Sequence, residues 1–354
     1  MTSSRIFAGL FLSGVAIAPA FAASPGSYTV FDAPGAGTEA GQGTFGVAVN
    51  AASSITGYFV DSNYYLHGFV RTADGTITTF DAAGPLSETE PFAINRNGRV
   101  AGFCQRKQRF FEAFLVKGSG KIEKYSAGGV NSGAYALNDN DEVVGTYSTR
   151  KHRVFGYLRS NTGAITAFQD PKAGKEALEG TFPIAVNNAG AITGQYANNG
   201  GAGGFIRDAD GTFTNFKAPD AGGFLGTNPS AINQAGAVAG VYTDSDNTFH
   251  SFIRDPSGTI TTFDAPGAGT DAFQGTTATS IAYDGTIVGS VVDANGTAHG
   301  FLRSQSGTIK EFDTPGAGTG SGEGTYADST SKRGIIAGYE VDDNGVSHGF
   351  LRTP

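Results

Sequence analysis

Histidine recurs at one position of a repeated motif, so metal binding is the first chemistry to consider. Four of the five histidines begin a His-Gly-Phe or His-Ser-Phe triplet: His67, His250, His299 and His348. Metal ligands must lie within ~2 Å of one ion. If each copy belongs to a different sheet, as the repeat described below predicts, these imidazoles are too far apart to share an ion. We therefore predict a structural hydrogen-bonding role for them and no metal site.

Basic residues cluster in two short segments of an otherwise acidic chain, whose net charge is −8. The cluster comprises Arg106, Lys107, Arg109, Arg150, Lys151, His152 and Arg153. The equivalent segments elsewhere are acidic or neutral, as in Asp342-Asp343-Asn344. The overall charge argues against a nucleic-acid partner. We predict a docking patch for an anionic polymer or a cell-surface partner, with a solvated face or salt bridges to the acidic loops as the alternative.

Carboxylates provide the only other candidate chemistry, and we assign no catalytic residue. Glu88, Glu179 and Glu323 precede predicted strands, where their side chains would reach the mouth of a channel. A glycosidase needs two carboxyl groups ~5–10 Å apart, a distance that sequence spacing does not define. The Gly-x-Gly of residues 31–38 and 263–270 is not followed by a helix, as a phosphate-binding loop would require. We therefore predict no cofactor.

The elements that position these residues form a repeat of about 47 residues. One glycine marks each of seven units: Gly57, Gly102, Gly145, Gly194, Gly240, Gly289 and Gly338. Each unit contains four short apolar runs separated by Asn- or Gly-containing turns. Four antiparallel strands per repeat are typical of a propeller blade. We predict an all-β, seven-bladed β-propeller of four-stranded antiparallel blades, in preference to a parallel β-helix or a β-sandwich.

The two ends of the chain complement each other. Residues 335–354 contain only the second and third strands of their unit, and the chain ends before a fourth. Residues 27–32 match the fourth strand of other units and have no other strands before them. An open ring would leave strand edges exposed. We predict that the N-terminal strand completes the seventh blade and closes the ring.

An arginine follows the third-strand aromatic by two residues in six units: Arg71, Arg159, Arg207, Arg254, Arg303 and Arg352. Its repetition favours a structural ion pair or turn contact. The loops between fourth and first strands vary most in length, and the two shortest precede units two and three. We therefore expect this sector to be the most open, and variable loops on a rigid scaffold are the usual place for specificity.

The N-terminus resembles a secretory signal peptide in residues 1–22. Arg5 precedes an apolar stretch, and Ala20-Phe21-Ala22 fits a small-x-small cleavage site. We predict cleavage near Ala22 and an extracellular or periplasmic protein without a membrane span, which needs ~18 or more apolar residues. Residues 23–354 are then a single propeller domain, expected to be a monomer. Cys104 is the only cysteine and is predicted to be a buried apolar residue.

The recurring triplets, together with Ala-Ile-Asn, Gly-x-Tyr and Phe-Asp-x-Pro-Gly, resemble the HAF family of bacterial extracellular repeats across all seven units. Gly or Ser replaces the middle Ala of the family motif, except in Glu112-Ala113-Phe114. The resemblance implies a secreted, repeat-built protein and assigns no catalytic residues. We predict a secreted binding or interaction module. The alternative is a secreted carbohydrate-active hydrolase or lyase with its site at the channel mouth.

Overall fold

The computed structural model describes residues 26–106 and 110–354, which form 28 β-strands and no helix. The all-β class predicted from the repeat is therefore confirmed for this part of the chain. The predicted signal segment, residues 1–22, lies outside the described residues. None of the described segments is a helix that could cross a bilayer.

The strands follow the repeat as four series. The first series is β2 (Gly43–Val49), β6 (Thr89–Ile94), β10 (Asn131–Leu137), β14 (Gly180–Val186), β18 (Thr227–Ile232), β22 (Gly275–Ile281) and β26 (Gly324–Thr330). The second series is β3 (Ile55–Val60), β7 (Val100–Arg106), β11 (Val143–Ser148), β15 (Ile192–Asn198), β19 (Val238–Thr243), β23 (Ile287–Val292) and β27 (Ile336–Val341).

The third series is β4 (Leu66–Arg71), β8 (Phe110–Val116), β12 (Val154–Arg159), β16 (Gly201–Arg207), β20 (Phe249–Arg254), β24 (Ala298–Arg303) and β28 (Ser347–Thr353). The fourth series is β1 (Ser27–Phe31), β5 (Ile77–Phe80), β9 (Ile122–Tyr125), β13 (Ile165–Phe168), β17 (Phe213–Phe216), β21 (Ile260–Phe263) and β25 (Ile309–Phe312).

Pairing is antiparallel from the first to the fourth strand of each set, as in β2–β3–β4–β5. Short parallel bridges, such as Gly43 with Ser347, join the third strand of one set to the first strand of the next. Hydrogen bonding thus connects the strands into sheets of 16, 8 and 4 strands. The hairpins keep neighbouring strands close in sequence, while the bridges connect successive sets.

The N-terminal strand β1 lies antiparallel to β28 in a five-residue register, from Ser27 opposite Thr353 to Phe31 opposite Gly349. It therefore takes the place that β5 occupies beside β4. Its chemistry also follows the repeat, because Asp32 accepts a hydrogen bond from His348 Nδ1 at 2.9 Å. The strand is thus equivalent to the fourth strands in contacts as well as in sequence.

The repeated arginines each lie over the fourth-strand aromatic of the preceding set, 4.7–5.3 Å from the ring centre. Arg71, for example, covers Phe31 of β1 at 4.9 Å. Several also donate a hydrogen bond to the next backbone carbonyl, which is the turn contact expected from the sequence. Arg159 alone also has an ion pair in the described part of the chain, with Glu123 at 2.6 Å. The arginines therefore join neighbouring sets mainly through cation–π contacts.

A relay of asparagine side chains connects the turns between first and second strands. Each Oδ1 caps its own turn, as Asn95 Oδ1 does by accepting from the backbone N–H groups of Asn97 and Arg99 at 3.1 Å. Each Nδ2 donates to the equivalent carbonyl of the next set at 3.0–3.3 Å: Asn50 to Asn95, Asn95 to Asn138, Asn138 to Asn187, Asn187 to Asn233, and Asn233 to Ala282. The repeated Asn is thus both a cap and a link between sets.

The second-strand glycine is required by close backbone approach. A Cβ at Gly57 would clash with the carbonyl oxygen of Phe45 in the first strand, and the other six glycines meet the equivalent carbonyl. The core lies between successive sets, around fully buried third-strand aromatics such as Phe69 and Phe252. Cys104 is also buried, and burial raises the pKa of its thiol to about 11, as suits an apolar core residue.

Candidate functional site

Each first-series strand contains a one-residue β-bulge opposite the second-strand glycine. Bulges re-aim a side chain and often occur beside functional sites. The residues skipped by the pairing register are Val47, Phe92, Tyr135, Ile184, Ser230, Thr279 and Asp328. All of them line one cavity of about 650 Å³, which we call the central cavity. The repeat therefore directs its most variable position into a shared space.

One side of the central cavity has an aromatic wall. The Phe45 ring stacks on Tyr58, with 4.9 Å between ring centres and 17° between planes. Phe45 also lies 4.9 Å from Tyr339, which in turn stacks on Tyr326 at 4.9 Å. We call these four residues the aromatic wall. Phe45, Tyr58 and Tyr339 line the cavity directly, so a bound group would meet extended ring surface there.

Asp328 is the one ionisable residue among the bulge positions. Asp328 lines the cavity and is half-buried, and partial loss of hydration raises the pKa of its carboxyl to about 8. Within the described residues the carboxyl forms no salt bridge or hydrogen bond. The cavity lining contains no Lys, Arg or His among those residues. The raised pKa favours the protonated form of Asp328 near neutral pH, and the carboxyl has no ion-pair or hydrogen-bond partner among the described residues.

Glu90 supplies a second acid near the same wall. It occupies the β6 position that Phe45 holds in β2, and burial, followed by repulsion from Glu88, raises its pKa to about 7. The pKa of Tyr58 is raised to about 12, first by burial and then by the charges of Glu90 and Asp328. Both carboxyls therefore act on Tyr58, which lies in the set between theirs.

Sequence reasoning missed Glu90 and Asp328, although a signal was present. Each acid replaces residues of quite different type at its position of the repeat. The carboxylates singled out from sequence serve differently: Glu179 Oε2 accepts from the backbone N–H of Glu176 at 2.9 Å, and Glu323 Oε2 accepts from that of Gly320 at 2.6 Å. Each glutamate therefore stabilises the loop that contains it. Glu88 lies close enough to Glu90 to raise its pKa.

The basic loop of unit three is exposed. Arg150, Lys151 and His152 are exposed, while Arg153 lies 5.1 Å over the Phe155 ring. Within the described part of the chain none of these four forms an ion pair with a carboxylate. In unit two, Arg106 ends strand β7. Lys107 and Arg109 lie outside the described residues.

A pocket of about 310 Å³, which we call the side pocket, is lined mainly by strands of units two and three. Its lining includes Phe111, just after the β7–β8 loop, and Val154, which directly follows Arg153. Phe103 packs edge-on against Phe111 with 5.1 Å between ring centres. The side pocket shares Tyr135, Thr146 and Phe182 with the central cavity. The two spaces therefore adjoin.

The repeated histidines have the hydrogen-bonding role expected from their sequence. His250 Nδ1 donates to Asp264 at 3.0 Å, and Nε2 lies 3.4 Å from Asp244 Oδ2. The other three also lie between two aspartates: Asp61 and Asp81 for His67, Asp293 and Asp313 for His299, Asp342 and Asp32 for His348. Burial alone would lower the pKa of His250, but its two aspartates outweigh burial and raise it. The described residues contain no group of three or more potential metal ligands.

This architecture belongs to a broad class of all-β, propeller-like folds. No family profile and no curated protein matches the chain. Among solved structures, it is similar to TolB from Acinetobacter baumannii, with a TM-score of 0.50 and 13% identity over 85% of this chain and 64% of TolB. A prolyl endopeptidase gives a TM-score of 0.54 and 9% identity over 91% of this chain and 50% of that protein.

A puromycin hydrolase gives a TM-score of 0.52 and 12% identity over 86% of this chain and 50% of that protein. The chain thus spans between half and 64% of the length of these three structures. At such low identity the similarity concerns the fold alone.

Proposed function

We propose that the seven sets of strands are the four-stranded blades of a closed seven-bladed propeller, with β1 completing the seventh blade. The pairing of β1 with β28 supports this, as does the contact between Arg71 and Phe31. The proposal also retains the predicted secretion after cleavage near Ala22, the single domain of residues 23–354 and membership of the HAF repeat family. Function then depends on where individual blades depart from the repeat.

We infer that the protein is a secreted binding module for an anionic polysaccharide, which docks on units two and three. The observation that carries this proposal is the side pocket, an aromatic-lined space whose lining residue Val154 directly follows the exposed basic loop of unit three. Sugar rings present C–H surfaces that pack on aromatic faces, while carboxylate or sulfate groups pair with nearby cations. Phe111 and Tyr135 supply the aromatic surface, and Arg150 and Lys151 supply exposed charge.

The charge distribution favours a steering role for the basic loops. The whole chain carries a net charge of −8, so a polyanion is repelled except where basic residues dominate locally. Exposed pairs contribute little individually, about 0–1 kcal/mol each. Affinity would therefore come from several contacts along one polymer and would weaken as salt screens them.

The polymer proposal is tested by retention on immobilised polygalacturonate. The mature protein is expected to be retained at low ionic strength and released by salt, whereas the double variant Arg150→Glu and Lys151→Glu is expected to pass unretained. Lys121→Glu, an exposed charge reversal in the β8–β9 turn, serves as the matched control and should be retained. Phe111→Ala should weaken binding roughly tenfold through loss of the aromatic surface. Equal retention of the double variant and the unmodified protein would refute the proposal.

A second candidate is a carbohydrate-active hydrolase or lyase, favoured by the raised pKa values of Glu90 and Asp328. Both carboxyls act on Tyr58, and carboxyls with perturbed pKa values are candidates for general acid–base roles. If the protein cleaves a glycan, Glu90→Gln and Asp328→Asn should each lower the release of reducing ends by at least about 100-fold. Glu176→Gln, an exposed glutamate in the loop before β14, is the matched control expected to retain activity. Turnover unchanged in both acid variants would remove this candidate.

A further inference from the structure

We propose that the central cavity is a binding site for a small organic ammonium ion, held between the aromatic wall and the carboxylate of Asp328. The site is separate from the basic loops and takes a ligand of opposite charge. It does not depend on the proposed polysaccharide binding. The argument rests on the composition of the cavity wall, on the missing partner of Asp328 and on the size of the space.

The aromatic wall supplies rings whose electron-rich faces attract a cation. Tyr339 is shared by two contacts, with Phe45 tilted by 60° on one side and Tyr326 stacked at 9° on the other. Phe45, Tyr58 and Tyr339 thus give the cavity three neighbouring ring surfaces. Each ring within about 6 Å of an ammonium group contributes about 0.5–2 kcal/mol, and more when water is excluded.

Asp328 supplies the matching negative charge. Asp328 is half-buried in the cavity wall and has no ion pair or hydrogen bond with the described residues, so its carboxyl is accessible to a ligand in the cavity. Tyr339 carries no positive charge, and the described residues that line the cavity include no cationic side chain. A cationic ligand would match both the carboxyl of Asp328 and the aromatic wall, because it would stabilise the ionised carboxylate and pack against the rings. Glu90, on the other side of Tyr58, adds negative potential to the same region.

The remaining lining sets the class of ligand. Ser230 and Thr279 offer hydroxyl groups, and Gln195 offers an amide, but the Gln195 Nε2 already donates to Leu225 O at 2.8 Å. The volume of about 650 Å³ exceeds that of a single ammonium headgroup, which leaves room for attached polar atoms. These features suit an amine or quaternary ammonium compound of low molecular weight rather than a bare metal ion.

The inference is tested by calorimetry and NMR with tetramethylammonium and with ethylammonium as probes. Binding of either is expected at about 10 mM or below. Because the cation ionises Asp328, binding at pH 7 should release close to one proton per ligand. The binding enthalpy should therefore differ between phosphate and Tris buffers. Below pH 8, the affinity for the cation should increase about tenfold with each unit by which the pH is raised.

Three variants separate the carboxylate from the wall. Asp328→Asn should weaken binding at least about tenfold and abolish proton release, and Tyr339→Leu should weaken binding by a similar factor. Asp343→Asn, an exposed charge change in the loop after β27 that does not line the cavity, should bind as the unmodified protein does. Stronger binding of tetramethylammonium would indicate that the aromatic rings contribute most of the affinity. Stronger binding of ethylammonium would indicate that a hydrogen bond from its N–H group to Asp328 contributes most.

No binding of either probe by the folded protein overturns the inference, as does unchanged binding in Asp328→Asn. Neither result bears on polygalacturonate retention, which depends on Arg150 and Lys151. Conversely, loss of retention in the charge-reversal variant should leave ammonium binding intact. The two proposals are therefore tested independently of each other.

Discussion

A chain that begins at Ala33, and so lacks β1, is expected to lose more than about 4 kcal/mol of unfolding free energy. Removal of β1 exposes the edge of β28 along all five paired positions. It also removes the Asp32–His348 hydrogen bond and leaves Arg71 without its aromatic partner Phe31. Phe31 further packs edge-on against the fully buried Phe69, with 5.9 Å between ring centres. The loss thus combines backbone, polar and core contacts at one seam.

Urea unfolding followed by circular dichroism measures this effect, with a chain beginning at Ala23 as the reference. Addition of a peptide of residues 24–34 should restore part of the lost stability, whereas a peptide with Phe31→Ala and Asp32→Ala should not. Equal stability of the two chains would show that β1 does not secure the fold. Failure of the truncated chain to fold at all is the limiting form of the expected result, and recovery by the peptide would identify the cause.

The substitution Asp328→Asn is expected to remove a large part of the pH dependence of stability above pH 6. In the folded protein Asp328 keeps its proton up to a pKa of about 8, whereas its ordinary value is 3.8. Between these values only the unfolded chain releases the proton, so rising pH favours unfolding. The unmodified protein should therefore lose about 3 kcal/mol of unfolding free energy from this residue between pH 6 and pH 9, a loss absent from the variant.

Thermal unfolding of both proteins at pH 6 and pH 9 measures how the unfolding free energy of each changes with pH, and this change is the slope to be compared. Glu90 and His250, whose pKa values are also raised, change stability in the same direction but are present in both proteins. Asp343→Asn, an exposed aspartate in the loop after β27, is the matched control and should keep the full slope. The assignment fails if Asp328→Asn and the unmodified protein show the same slope.

The repeat made much of the architecture predictable. Turn asparagines and second-strand glycines recur because every set needs the same cap and the same close backbone approach, so each reports local geometry. The pairing of β1 with β28 was predictable because a strand without its own set must find a partner elsewhere. The basic loops were visible as well, because charge at a loop position is independent of the strands that support it.

The acids of the central cavity were not predicted, and the reason is physical. Whether Asp328 faces the cavity depends on the bulge in β26, which is defined by its register with β27 rather than by alternation along one strand. Glu179 and Glu323 were expected near the channel mouth, but each side chain turns back to an N–H group three residues earlier. Such local capping competes with any outward orientation.

The asparagine relay has a consequence for how the molecule comes apart. It connects the turns of units one to six in one direction and ends at Ala282, because Ala282 and Ser331 replace Asn in units six and seven. Neighbouring units that share such bonds should lose their structure together, as a cooperative block. The seam between the seventh and first units lacks them and relies on a strand from the other end of the chain. That seam is where reversible opening should begin, and slowly exchanging amide protons should be most abundant in units two to five.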